Sequence, residues 1–315
     1  AMLDFTWYDV WELHCCFMHN DMEECIVKYD AIVFSLWCLG VWIIYSFVWS
    51  IVGNNCSKVD QIWSITPWLY SWGFYWHFHL STAGSMHPRL LLVCILMTLW
   101  GVRLTYNFWR RGGYGNLISH EEDYRWPILR KKMNAWTFLL FNLTFIATYQ
   151  NILLMLIALP TYMVLYAEST QISFLDILLT FLFMCLLSIE TIADQQHYDF
   201  QEYKHSLSER EKRQHKSPSI RSGFLQSGLW GLCRHPNYFA EQMIWVTFYL
   251  FAVSATGELF NWSGIGVVLL VILFQGSMAF GESITAAKYP LYKKYQQGVW
   301  QCIPCVYFKF NGGKA

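Results

Sequence analysis

Glu190 and Asp194 stand four residues apart at the end of an apolar run, in Glu-Thr-Ile-Ala-Asp-Gln-Gln. At helical spacing both carboxylates share one face and repel each other there. A carboxylate facing hydrocarbon costs about 2.5 kcal/mol or more, so something polar should fill that face. The other reading is that Asp194, with Gln195, Gln196 and His197, has already reached water. Glu241 and Glu282 are further acids within apolar stretches. A second constellation is Arg234-His235-Pro236-Asn237-Tyr238. Pro236 suits the first turn of a helix, leaving the amides of Asn237, Tyr238 and Phe239 at the positive end of the dipole. With the Arg234 fork and the His235 imidazole, this start forms a cradle for phosphate or carboxylate. An interfacial anchor would use the same residues. Tyr289, Tyr292 and Tyr295 recur at three-residue intervals, a spacing that serves either for stacking on a base or for anchoring among headgroups.

The elements that must hold these residues follow from composition. Of 315 residues, 55% are hydrophobic, 19% aromatic and 14% charged, against about 25% charged in a soluble domain. With the apolar residues gathered in blocks, a bilayer is the expected solvent. Disordered, collagen-like and small disulfide-scaffold chains are excluded. Net charge zero carries no nucleic-acid signature. The expected fold is all-α and polytopic. Its apolar stretches run over residues 31–52, 62–76, 90–108, 136–162, 174–193, 238–255 and 265–287. The second is interrupted by Pro67 and Gly73, and the fourth is long enough for one kinked helix or two.

Basic residues sort these seven spans by side. Arg110, Arg111, Arg125, Arg130, Lys131 and Lys132 follow the third; Lys204, Arg210, Lys212, Arg213, Lys216, Arg221 and Arg234 follow the fifth. The tail adds Lys288, Lys293, Lys294, Lys309 and Lys314, whereas the turns near Glu168 and over 257–263 carry no base. That alternation predicts an outside N-terminus and a cytoplasmic C-terminus. Residues 1–30, acidic and dotted with Trp7, Tyr8 and Trp11, read as an interfacial arm rather than a cleavable signal. Residues 31–315 read as a single transmembrane domain.

The segment Asp176–Pro304 resembles the C-terminal catalytic domain of the steroid 5α-reductase family, in its uncharacterised multi-pass branch. Glu190 and Asp194 match its acid motif, Arg-His-Pro-Asn-Tyr with Glu241 its helix opening, and Glu282 with Tyr-Pro-Leu-Tyr its last cofactor region. Upstream, Asp60-Gln-Ile-Trp-Ser resembles the Asp-x-x-Trp-Ser signature, and Arg103-Leu-Thr-Tyr106 with Glu122-Asp-Tyr-Arg-Trp126 resembles the next block. The resemblance implies a membrane enzyme that holds NADPH and reduces an activated carbon–carbon double bond in a lipid or sterol-like substrate. It implies Glu190, Asp194, Gln195, Arg234, His235, Asn237, Tyr238, Glu241, Glu282, Tyr289 and Tyr292 as cofactor residues, and Asp60, Trp63, Trp100 and Arg103 at the reacting end. Steroid-reducing members use a Glu and a Tyr where this chain has Asp60 and Trp100. An indole N–H donates only one hydrogen bond, and Tyr106 lies toward the surface, so the proton donor is unassigned. Asp60 also reads as a plain helix N-cap.

Two rivals stand beside the reductase. Isoprenylcysteine carboxyl and phospholipid methyltransferases share Arg-His-Pro-x-Tyr and bind S-adenosylmethionine, although they usually carry two adjacent glutamates where this chain has Gly281-Glu282. A non-catalytic scaffold of the same fold is the other. No metal is expected: Cys302-Ile-Pro-Cys305 supplies half a zinc site, and His77, His79 and His87 read as interface polars. Cys15, Cys16 and Cys25 fall on the predicted outer side, where a disulfide forms if that side is the lumen of the endoplasmic reticulum. The sequons at Asn55, Asn142 and Asn261 are all poorly placed for glycosylation.

Overall fold

The computed structural model describes residues 6–19, 21–115 and 121–304; Asp4, Cys305, Lys309 and Lys314 lie outside them. Among the described residues the regular elements are helical and none is a strand. Five helices are long and apolar enough to cross a membrane: 31–52, 88–109, 135–165, 174–206 and 262–288. By length and composition this is an integral membrane protein.

The chain divides into two compact units, one of Ala1–Thr180 with Thr247–Leu269 and one of Phe181–Val246 with Leu270–Ala315. The first contains α1 (Trp7–His19), α2 (Met22–Lys28), α3 (Ala31–Val52), α4 (Lys58–Trp63), α5 (Thr66–Ser81), α6 (Pro88–Trp109), α7 (Arg125–Lys132), α8 (Ala135–Phe141) and α9 (Gln150–Leu165). Asp30 caps α3, accepting from the Ile32 amide at 2.9 Å, and the Tyr162 and Tyr166 hydroxyls donate to the same carboxylate. Pro88 opens α6, where its missing N–H costs nothing. The fourth apolar stretch is one helix, not two. A π-helical segment, Asn142–Tyr149, joins α8 to α9, so the extra length is absorbed by widened turns. Polar bonds link its helices where lipid would otherwise leave them unmet: Asn142 Nδ2 to Ser50 Oγ at 2.7 Å and Asn151 Nδ2 to Ser46 Oγ at 3.0 Å. Asn142 and Asn55 are both buried. Arg89 pairs with Asp176 at 2.9 Å in the interior.

In the N-terminal arm Trp7, Tyr8 and Trp11 are exposed, while Leu13 and Cys16 turn inward. A Cys16–Cys25 disulfide ties α1 to α2. His77 and His79 bond backbone carbonyls and His87 caps α6; no group of metal-binding side chains occurs among the described residues.

The second unit is built on α10 (Phe174–Ser206), α11 (Glu209–Gln214), α12 (Pro218–Ser222), α13 (Pro236–Thr256), α14 (Ile265–Lys288) and α15 (Tyr292–Gly298). At 33 residues α10 runs well beyond the apolar block that defines it in sequence. Asp194 is therefore a mid-helix residue rather than the first residue in water.

Candidate functional site

Glu190 and Asp194 each keep only 4% of their surface, which removes the solvated reading. Facing them, α13 begins at Pro236, and Asn237 in its first turn donates from Nδ2 to Asp194 Oδ1 at 3.1 Å. Asn237 Oδ1 is buried and has no hydrogen-bond partner. Glu241, one turn further along α13, is also buried and accepts from Trp245 Nε1 at 3.0 Å. The i, i+4 spacing puts Asn237 and Glu241 on one face. Buried polar groups of this kind are ordinarily satisfied, so an orphaned amide oxygen beside a carboxylate is an acceptor available to a bound donor.

Two residues away the chemistry is closed. Arg234 Nε donates to Glu282 Oε1 at 2.7 Å and Arg234 Nη2 to Oε2 at 3.1 Å, a two-point fork. Arg234 Nη1 donates to the carbonyls of Gln296 and Val299. His235 Nε2 lies 2.9 Å from Glu282 Oε1, and Gln296 Nε2 donates to Oε2 at 2.8 Å. The amides of Arg234 and His235 bond the carbonyls of Trp300 and Gln301, and the Phe239 amide bonds His235 O. Arg234, His235 and Glu282 are thus bonded to one another, to Gln296 of α15 and to the chain that follows it, where the sequence suggested an open anion cradle. Of the three amides expected at the helix opening, that of Phe239 is taken by His235 O. Tyr238 itself stacks on His235 and meets the edge of Phe274.

Gln195 is also corrected. It is exposed and donates to Asp199 at 2.7 Å, because one step along α10 turns a side chain by about 100°. Gln196 is the residue that reaches inward, accepting from the Leu229 amide at 3.0 Å. Gly228 stands beside it at φ 64°, where a Cβ would lie 2.6 Å from the Gln196 side chain.

Tyr292 and Tyr295 neither stand open to a base nor anchor at an interface; they pack with Phe224 and Val299 in a buried aromatic cluster. The Tyr295 hydroxyl donates to Trp230 O. Burial pushes that phenol well up. Tyr289 lies at the cluster's edge, with the ammonium groups of Lys204 and Lys288 at 5.9 and 5.4 Å from its ring. Lys204 is 8% exposed and donates to Gly223 O at 3.2 Å. Two cations converging on one aromatic ring form a positive spot that loop charge alone does not reveal. In sequence Lys204 is one loop base among seven; only its place four turns past Glu190 on the same helix could have singled it out.

The four reacting-end residues belong to the first unit. Asp60 occupies the third position of α4, so it is not the cap; Ser57 is at that place. It accepts from Trp126 Nε1 at 3.2 Å. Around it Glu122 pairs with Arg130 at 2.7 Å and accepts from the Cys56 amide, and the Asp123 amide donates to Ser57 Oγ. Burial, reinforced by Asp123 and opposed by Arg125, pushes the Asp60 carboxyl up. Trp100 is fully buried, Trp63 and Arg103 are half-buried, and Tyr106 is exposed.

Comparison with known proteins agrees on the group. The family described as "Protein of unknown function (DUF1295)" matches residues 46–299. An uncharacterized protein of Schizosaccharomyces pombe is 36% identical over 274 residues, covering 85% of this chain and 75% of its own.

Proposed function

We propose that this chain, which belongs to the DUF1295 family within the steroid 5α-reductase-like group, is a membrane-embedded reductase that uses NADPH to saturate a carbon–carbon double bond in a lipid. One observation carries the reading: the buried Asp194–Asn237 contact with the amide oxygen of Asn237 left over. A structural helix start would not keep a carboxylate, an amide and an orphaned acceptor together in an apolar interior.

The residues fit a dinucleotide in part. Asp194 and Glu190 would accept from ribose hydroxyls, and Asn237 Oδ1 from a carboxamide N–H. Lys204 and Lys288 would meet phosphate oxygens beside Tyr289. Arg234 and Glu282 act one step back, holding the start of α13 against the chain after α15 so that Asn237 is presented rigidly. When bound, the nicotinamide supplies a hydride. This chain's task is then to exclude water and to deliver a proton to the carbon beside the one reduced.

The proposed topology has seven spans. To the five long apolar helices it adds α5, 16 residues or about 24 Å, and α13, 21 residues or about 31 Å. A luminal N-terminal arm agrees with the Cys16–Cys25 disulfide, and the endoplasmic reticulum supplies such a lumen.

Purified protein in detergent tests the proposal. Micromolar NADPH should raise the unfolding temperature and Asp194→Ala should abolish the rise. A rise with S-adenosylmethionine instead identifies a methyltransferase, and no rise with either leaves a scaffold.

A further inference from the structure

Two sides of α1 are apolar, and only one of them meets the protein. At about 100° per residue, Trp7, Trp11 and Met18 fall within about 40° of one another, and they are 74%, 62% and 69% exposed. Leu13 and Cys16 stand on the opposite side and are buried. The inward side docks on α3. The Phe17 ring meets Phe34 and Trp37 edge to face, with centroids 6.3 and 5.2 Å apart, and Trp37 Nε1 donates to His14 Nδ1 at 3.4 Å. The Tyr29 hydroxyl donates to Glu12 at 3.0 Å and the Cys16–Cys25 disulfide ties α1 to α2, so α1 is held against the start of α3.

The level of α3 in the bilayer then fixes the level of α1. At 22 residues α3 is about 33 Å long, against about 30 Å of hydrocarbon, so the span has little room to slide and begins close to Ala31. The Asp30 carboxylate, which caps α3 and accepts from Tyr162 and Tyr166, marks the same boundary; a charge there stays at the polar edge of the hydrocarbon. Phe34 and Trp37 follow Ala31 by about 4.5 and 9 Å along the helix axis. A helix packed at that level turns its outer face to the headgroup–acyl boundary, the depth of about 5–10 Å at which interfacial amphipathic helices rest. Indoles suit that layer, since each joins an apolar body to one N–H. We propose that the Trp7–Trp11–Met18 face of α1 binds the lipid of the leaflet in which α3 begins, zwitterionic in headgroup rather than anionic. Charge selects the headgroup: residues 7–30 carry six acids and one base, Lys28, the reverse of the polybasic segments that anionic lipid attracts. The proposal does not depend on the reductase reading.

Photolabelling of the full chain in phosphatidylcholine vesicles tests it, with a diazirine carried on the probe phospholipid either beside the glycerol or at the acyl end. Peptide mass spectrometry should find residues 7–19 labelled severalfold more by the shallow probe than by the deep one. Residues 41–48 of α3, where Val41, Ile44 and Val48 are exposed at mid-span, should show the opposite ratio and serve as the depth standard. Trp11→Glu should lower shallow labelling of 7–19 severalfold and leave that of 41–48 unchanged. Replacing part of the phosphatidylcholine by phosphatidylserine should lower shallow labelling of the arm, and added salt should restore it. An unlabelled arm beside a labelled α3, as for a face in water or covered by a second copy, would overturn the assignment. So would deep labelling equal to shallow, or arm labelling raised by phosphatidylserine. The depth ratio is read on the unaltered chain, so the test survives if Trp11→Glu fails to fold.

Discussion

Arg234 with Glu282 and Asn237 with Asp194 lie within one turn of the same helix opening, and they spend their polar groups in opposite ways. The first pair is saturated: both carboxylate oxygens are shared by Arg234, His235 and Gln296, and the guanidinium also takes two backbone carbonyls. The second joins one amide hydrogen to one carboxylate oxygen and leaves the amide oxygen over. A closed network stabilises what it ties together and offers nothing further to a ligand. An open one costs stability in the absence of a donor, and that cost is recovered when a donor binds. Charge alone would point to Arg234 as the ligand-binding residue; bond counting points to the amide oxygen of Asn237.

Breaking the closed pair should have the largest effect. Glu282→Ala strands a guanidinium that is 10% exposed, and removal of one partner of a buried pair costs about 3–5 kcal/mol; thermal unfolding in detergent would show it with or without nucleotide. Asp194→Ala should behave otherwise. It should cost less intrinsic stability than Glu282→Ala, about 1–3 kcal/mol for the stranded Asn237 donor, and in addition delete the ligand-induced gain, about 2.7 kcal/mol at a hundredfold excess over Kd. Equal intrinsic destabilisation by the two variants would erase the distinction between them.

A smaller effect is expected at Asp60, where burial and then Asp123 raise the carboxyl. The folded state binds that proton more tightly than the unfolded chain. Stability should therefore decline as pH rises from the ordinary carboxylate value through the raised one, by at most about 1.4 kcal/mol per pH unit. Asp60→Asn, which still accepts from Trp126, should flatten that segment of the pH–stability curve. Smallest is the contrast at the adjacent glutamines. Gln196→Ala loses the bond from Leu229 N and should cost about 1 kcal/mol, whereas Gln195→Ala at the exposed face should be silent in the same melt.

Much of the helix plan was legible because apolar blocks have lengths set by the bilayer. The expected 31–52 coincides with α3, and the 265–287 stretch differs from α14 by one residue. The second stretch was misplaced at its start: Pro67 has no N–H to continue a helix from residue 62 and stands in the first turn of the next one instead, so α4 stops at Trp63 and α5 restarts at Thr66. The end of α10 was also hidden, since helix persists through Gln-Gln-His-Tyr-Asp once packing holds it. The site was legible in its members and not in its bonds. Asp194 and Asn237 were singled out by type and position, but nothing in residue order says that Arg234 is already taken by Glu282, 48 residues on.

Composition and periodicity by themselves determined a helical membrane protein with acids where lipid forbids them and a helix opening at Pro236. Both follow from local cost: the price of a carboxylate in hydrocarbon and the missing N–H of proline are properties of single positions. Tertiary structure alone decided which polar groups satisfy one another and which glutamine faces inward. Those outcomes depend on pairs of residues distant in the chain, and a pairing energy exists only once packing brings both partners within hydrogen-bond reach.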